Sequence, residues 1–259
     1  MQRSVLAEFY QQLAALAFAV LVVHTSYLLV IRPEAAALMA AGAEGVARAP
    51  MVVLKDVEQE ICLVLMLWAV LIIGLKFVQV LHARRALNAR WISLDPGQRV
   101  LPEDARAHLR PLLAQPLRSR GIIERALVRG LQRFAVTGDV PAVVAAVHET
   151  VETEAERFDS ELAMLRYIVW AIPSIGFIGT VRGIGSALGQ AQAAIDGDIA
   201  GVTASLGVAF NSTFVALMAS MLVMFLLSQL QRLQEGLILD AHAYCDETLV
   251  QHLAAHANP

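Results

Sequence analysis

Four apolar runs, at residues 13–31, 61–81, 167–188 and 202–228, constrain this chain more than any other feature. Each approaches or exceeds the ~20 residues that a helix needs to cross a bilayer core. In lipid, a chain has to satisfy its backbone hydrogen bonds within itself, which leaves helices as the solution for runs of this length. Composition agrees: 57% of the 259 residues are hydrophobic and the mean hydropathy is +0.59. The expected fold is all-α, a polytopic membrane protein with four transmembrane helices. The first run is longer than the ~7–15 apolar residues of a signal peptide, and Glu8 stands in its leading segment, so it is read as an uncleaved span.

Charge predicts the orientation. Between the second and third runs lie Arg84, Arg85, Arg90, Arg99, Arg106, Arg110, Arg118, Arg120, Arg125, Arg129, Arg133 and Arg157. The loop at 189–201 has no Lys or Arg, only Asp196 and Asp198. The positive-inside rule places the long segment and both termini in the cytoplasm, with 32–60 and 189–201 outside. This divides the chain into a transmembrane hairpin at 1–81, a cytoplasmic helical segment at 82–166, a second hairpin at 167–228 and a cytoplasmic C-terminal helix at 229–259. Pro102, Pro111 and Pro116 punctuate the cytoplasmic segment. Within it, Val140, Val143, Val144, Val147, Val151, Phe158, Leu162 and Leu165 lie near one helical face, while Glu149, Glu152, Glu154, Glu156, Asp159 and Glu161 make another that either is solvated or docks a partner. Leu233, Leu237 and Leu249 of the tail are expected to pack on that valine face.

The second hairpin carries the polar residues. A rise of ~1.5 Å per residue puts Thr180 ~20 Å from the cytoplasmic end of its span and Thr213 ~22 Å from the cytoplasmic end of the next, at nearly one depth. Gly176, Thr180, Gly183 and Ala187 fall on one side of the third span. Ser205, Ala209, Thr213, Ala216 and Ser220 make a matching stripe on the fourth, with Phe210, Phe214, Leu217 and Met221 beside it. Such stripes either pack helices closely or face a wet path. Pro173 predicts a kink. Arg182 lies ~200° round the helix from Thr180, so it is expected to snorkel to the outer interface or to pair with Glu60, Asp56, Asp196 or Asp198. Asn211 and Ser212 are candidate polar contacts, Asn211 across helices. His24 is read as a hydrogen-bonded packing residue. No Asp or Glu falls within the four runs, so a conducted proton would need a carboxylate from another polypeptide.

The composition shows no catalytic or cofactor motif. Cys62 and Cys245 have no metal-type spacing, and the topology puts them on opposite sides of the membrane, so no disulfide is expected. No enzyme activity, cofactor, metal or nucleic-acid partner is expected.

The run Gly179-Thr180-Val181-Arg182-Gly183-Ile184 resembles the Gly-Thr-Val-x-Gly-Ile signature of the MotA/TolQ/ExbB proton channel family, preceded as in the family by a Pro and a Gly. Ala209-Phe210-Asn211-Ser212-Thr213-Phe214-Val215-Ala216-Leu217 resembles the matching segment. The resemblance covers about residues 140–230. Ala216 stands where a Gly is usual, and Arg182 where a large apolar residue is usual. The four-span layout resembles flagellar MotA, whereas the Gly-Thr-Val motif is closer to TolQ and ExbB, which have three spans. The resemblance implies a homopentameric ring in a bacterial inner membrane, its third and fourth spans lining a pore. It further implies Thr180 and Thr213 on the ion pathway, with Gly176, Gly183, Ala209 and Ala216 facing the pore or packing helices. The implied partners are single-span subunits similar to MotB, TolR or ExbD that supply the proton-binding Asp. Proton or sodium flow would then drive mechanical work. The alternative reading is a structural or signalling scaffold that oligomerises through its small-residue faces without conducting ions.

Overall fold

The computed structural model describes residues 2–41, 49–87, 89, 91, 99–114 and 121–254. Arg90, Pro116, Arg118 and Arg120 lie outside the described residues. The helices in chain order are α1 (Gln2–Ser26), α2 (Arg32–Ala41), α3 (Pro50–Val53), α4 (Val57–Leu87), α5 (Ala105–Leu113), α6 (Ile122–Thr137), α7 (Val140–Glu161), α8 (Ala163–Gly189), α9 (Ala191–Ile195) and α10 (Ala200–Thr248). A π-helical turn, Tyr27–Ile31, joins α1 to α2. Four helical stretches are long and apolar enough to cross a membrane: Phe9–Ala41, Val57–Leu87, Val140–Gly189 and Ala200–His252. They contain the four apolar runs and extend beyond them.

Two compact units make up the chain. The first comprises Met1–Leu75 and Ala163–Ser228. Its α1 and the π-helical turn after it bury one stripe, Ala19, Val23 and Tyr27, at i, i+4 and i+8, while Phe18, Leu21 and Leu29 stay exposed. α8 exposes Phe177 and Leu188, and α10 exposes Phe210, Phe214 and Met221, each at 60% or more. Apolar surface this extensive is untenable in water and is what a lipid-embedded helix presents. α8 runs through Pro173 without a break in its helix.

The second unit comprises Lys76–Leu162 and Gln229–Pro259. α6 buries Ile123, Leu127, Leu131 and Phe134, and α7 buries Val143, Val147 and Val151. These meet Ala241 and Cys245 of α10 and Leu249 just beyond its end in one apolar core, together with Leu109 and Leu112 of α5. The turn between α6 and α7 is built from Gly138, whose φ of 63° is the left-handed C-cap that glycine adopts without strain, and Asp139, whose carboxylate accepts the Ala142 N–H at 3.2 Å. Pro111, expected to interrupt a helix, sits inside α5 instead. The apolar side chains Leu109 and Leu112 around it are buried, and tertiary packing there overrides the lost backbone donor.

Candidate functional site

α8 and α10 lie against one another along their small residues. A Cβ added at Gly183 would stand 2.7 Å from the Ala209 Cβ, and one added at Gly179 would stand 2.5 Å from the Ser212 Cβ. Gly176 faces Ala216 at still closer range. Only residues without a side chain, opposed by alanine or serine, let two backbones approach so far. Gly176, Gly183, Ala209 and Ala216 are all buried in this seam. Within the chain these four residues therefore pack helix on helix. The large side chains Phe210, Phe214 and Met221 point away from it.

Thr180 and Thr213 meet in the seam, hydroxyl to hydroxyl. Thr180 Oγ1 also lies 3.2 Å from the Ala209 carbonyl and 3.3 Å from that of Gly176, and Thr213 Oγ1 lies 3.2 Å from the same Gly176 carbonyl. Both side chains are half-buried. The pair has two O–H donors. One bond between the hydroxyls and one to a backbone carbonyl use both donors, and acceptor lone pairs remain. The arrangement can accept a proton donor from outside while its own protons reorganise among neighbouring acceptors, and it carries no charge in either state.

The neighbouring polar residues belong to a different construction. Glu58, Gln59 and Glu60, in the first turn of α4, are 8%, 0% and 9% exposed. Successive helical residues point ~100° apart, and these three reach three different neighbours. Glu58 accepts a 2.7 Å bond from the Arg182 guanidinium of α8. Gln59 donates through Nε2 to Ser212 Oγ of α10 at 3.3 Å. Glu60 meets His24 Nδ1 of α1 at 2.6 Å and Arg32 of α2 at 2.8 Å. The two carboxylates also complement the positive end of the α4 dipole.

Arg182 thus takes the paired option, with Glu58 as its partner in place of Glu60, Asp56, Asp196 or Asp198. Glu60 is committed to His24 and Arg32. Ser212 forms the interhelical hydrogen bond expected of Asn211; among the described residues no hydrogen bond reaches the Asn211 side chain. Glu58 and Gln59 were missed in the sequence and Glu60 was considered only as a partner for Arg182, although three polar residues in a row directly before an apolar run are a visible signal. Lys76 was also missed. It lies inside the run 61–81, is 7% exposed, and donates to Glu161 at 2.6 Å in the second unit, where Arg157 also holds Glu161 at 3.0 Å. Cys62 and Cys245 are buried free thiols.

Four apolar helical stretches, with a buried seam of small residues around two contacting threonines, define a multi-pass α-helical membrane protein. Residues 118–242 match the model of the MotA/TolQ/ExbB proton channel family, and that segment is similar to the family. The match includes both threonine motifs and bears out the resemblance read from them; residues 1–117, with α1 to α5, fall outside it. No curated protein matches the chain.

Proposed function

We propose that this chain is the channel-forming subunit of an ion-driven motor complex in a bacterial inner membrane. The observation that carries the proposal is the contact between the Thr180 and Thr213 hydroxyls, in the two motifs that the family match covers. About five copies form a ring, and single-span partner subunits resembling MotB, TolR or ExbD supply the proton-accepting Asp. The ion is a proton or sodium. The arginine-rich second unit and both termini are cytoplasmic, and the exposed apolar surfaces of α8 and α10 are covered by lipid or by neighbouring copies.

In this reading Thr180 and Thr213 line the ion path. As the partner carboxyl passes, its protonated form donates to a threonine lone pair and its ionised form accepts from a threonine O–H. The hydroxyl pair serves both states without charging, which no Asp, Glu or Lys at that place would do.

The test is ion uptake or motor output in cells that make the variant with its partner, beside a check of assembly. Thr180→Ala and Thr213→Ala are expected to assemble, because Ala suits a small-residue seam, and to lose most flux. Thr→Ser at either position keeps the hydroxyl and retains much of it. Ala variants that assemble and conduct normally would reduce the seam to packing and favour the scaffold.

A further inference from the structure

We propose that His148, Glu152 and His242 form a binding site for a divalent transition-metal ion of the zinc type, joining α7 to α10 within the second unit. His148 and Glu152 are four residues apart on α7, the spacing that puts two side chains on one face of a helix. His242 projects from α10 toward them. One donor atom from each of the three lies within 4.8 Å of the others. The two imidazole rings meet edge to face, with centroids 4.6 Å apart, and the Glu152 carboxylate is 3.7 Å from His148 Nδ1.

The donor chemistry selects the ion. Two imidazoles and one carboxylate suit zinc and its first-row neighbours, whereas magnesium and calcium take oxygen ligands. Three protein ligands with one position left to water is a common zinc arrangement. Ligand atoms on a tetrahedral zinc stand about 3.4 Å apart, from Zn–N bonds of ~2.0–2.1 Å. The side chains of His148 and Glu152 are 60% and 61% exposed and so have room to rotate toward that spacing.

The surroundings favour a cation. The rings edge a depression of about 270 Å³ whose lining includes Val144, Val147, Asp246 and Val250 and, among the described residues, no Lys or Arg. Asp246 stands one turn beyond His242 and adds a second negative charge. Among the described residues no hydrogen bond to the backbone occupies either ring. A bound ion would tie two helices that otherwise meet there through apolar side chains and the contact of the two rings, and so stiffen the α7/α10 pair.

The experiment uses the full chain purified in detergent micelles, stripped with a chelator and titrated with zinc by calorimetry, with magnesium and calcium beside it. One zinc per chain is expected, with no response to magnesium or calcium. His148→Ala and His242→Ala are each expected to weaken binding by at least about tenfold, since even losing a residue that only supports a ligand costs 10–100-fold. Cobalt(II) absorption bands should appear in the parent chain and vanish in the double variant. Helical circular dichroism of the variants, expected unchanged, separates lost ligation from lost folding. Absence of saturable one-per-chain binding, or zinc affinity retained in the folded double variant, overturns the site.

Discussion

Along α8, Thr180 meets α10 through a neutral hydroxyl among glycines and alanines, while Arg182, two residues on, meets α4 through a full ion pair. Both contacts bury polarity inside one apolar unit, by opposite means. In the seam, two hydroxyls and two backbone carbonyls satisfy one another, and the donors can be exchanged among several acceptors. At the first turn of α4, each side chain is committed to a fixed partner on another helix. A neutral, redundant network can reorganise as a partner passes; a set of charge pairs holds helices in place, because breaking any pair leaves a charge in low dielectric. On the proposed function, the first network would serve the ion path and the second would hold the helices rigid.

Overpacking the seam with a large side chain, Gly183→Leu, is expected to produce the largest effect, and Gly183→Ala a smaller one of the same sign. Gly→Ala in a helix interior ordinarily gains ~1 kcal/mol through propensity. At Gly183 the new methyl would sit 2.7 Å from both the Cβ and the backbone N of Ala209. Backbone cannot give way as a side-chain tip can, so overpacking of ~1–3 kcal/mol outweighs the propensity. Gly183→Leu should prevent the α8/α10 pair from forming at all. Gly185 has nothing within 4 Å of an added Cβ, and Gly185→Ala should be neutral or stabilising. Thermal unfolding in detergent micelles measures both. If Gly183→Ala is as harmless as Gly185→Ala, the seam is not close-packed and the comparison collapses.

Glu60 comes next. It serves His24 and Arg32 at once, so Glu60→Ala strands two groups from two helices. The cost is ~2–3 kcal/mol, below the 3–5 kcal/mol for breaking a fully buried pair because His24 and Arg32 are half-exposed. Arg32→Ala alone should cost less than Glu60→Ala, since His24 still holds the carboxylate. The reverse order would show that Glu60 is not the shared centre.

These two places differ in how they read from sequence. The seam was legible because small residues recur at helical spacing along two runs, and because equal helix lengths set Thr180 opposite Thr213. The valine face of α7 was legible for the same reason. The first turn of α4 was not. Glu58, Gln59 and Glu60 precede the apolar run and look like loop polarity, and three consecutive residues on a helix have no periodicity that names their partners. Choosing Glu58 for Arg182 requires the helical phase of α4 relative to α8, which is a tertiary fact. Lys76 was hidden by the apolar average of its run, and its partner Glu161 belongs to a different helix. The His148–Glu152–His242 group was invisible for that reason too: His242 joins the other two only in three dimensions.

Arg182 and Glu58 sharpen the rigid half of the comparison through an asymmetry. The Glu58 side chain is 10% exposed and that of Arg182 is 52% exposed. Arg182→Gln leaves a buried carboxylate without its cation, whereas Glu58→Gln leaves a guanidinium long enough to reach the interface. The first should cost ~2 kcal/mol and the second ~1 kcal/mol or less. Arg182→Glu should be worse than Arg182→Gln, because it sets two carboxylates together. A double-mutant cycle on the purified protein checks this, and a coupling energy near zero would make Arg182 a snorkelling side chain with an incidental partner.

The smallest effect lies where the two halves touch. Ser212 is the residue before Thr213, and its hydroxyl both donates to the Val208 carbonyl at 2.8 Å and accepts from Gln59 at 3.3 Å. Ser212→Ala removes the acceptor and leaves the fully buried Gln59 amide unpaired, at ~1 kcal/mol or slightly more. Gln59→Met instead replaces the amide with an apolar chain of similar shape. Gln59 Oε1 has no hydrogen-bond partner among the described residues, so that exchange also removes an unsatisfied acceptor and should be neutral or mildly stabilising. The double variant should then recover most of what Ser212→Ala loses, because no stranded amide remains. Recovery in thermal unfolding, with ion flux unchanged in both Gln59→Met and the double variant, would separate the supporting turn of α4 from the threonine pair. Loss of flux in Gln59→Met with normal stability would instead bring Gln59 into the ion path and dissolve the distinction between the two regions.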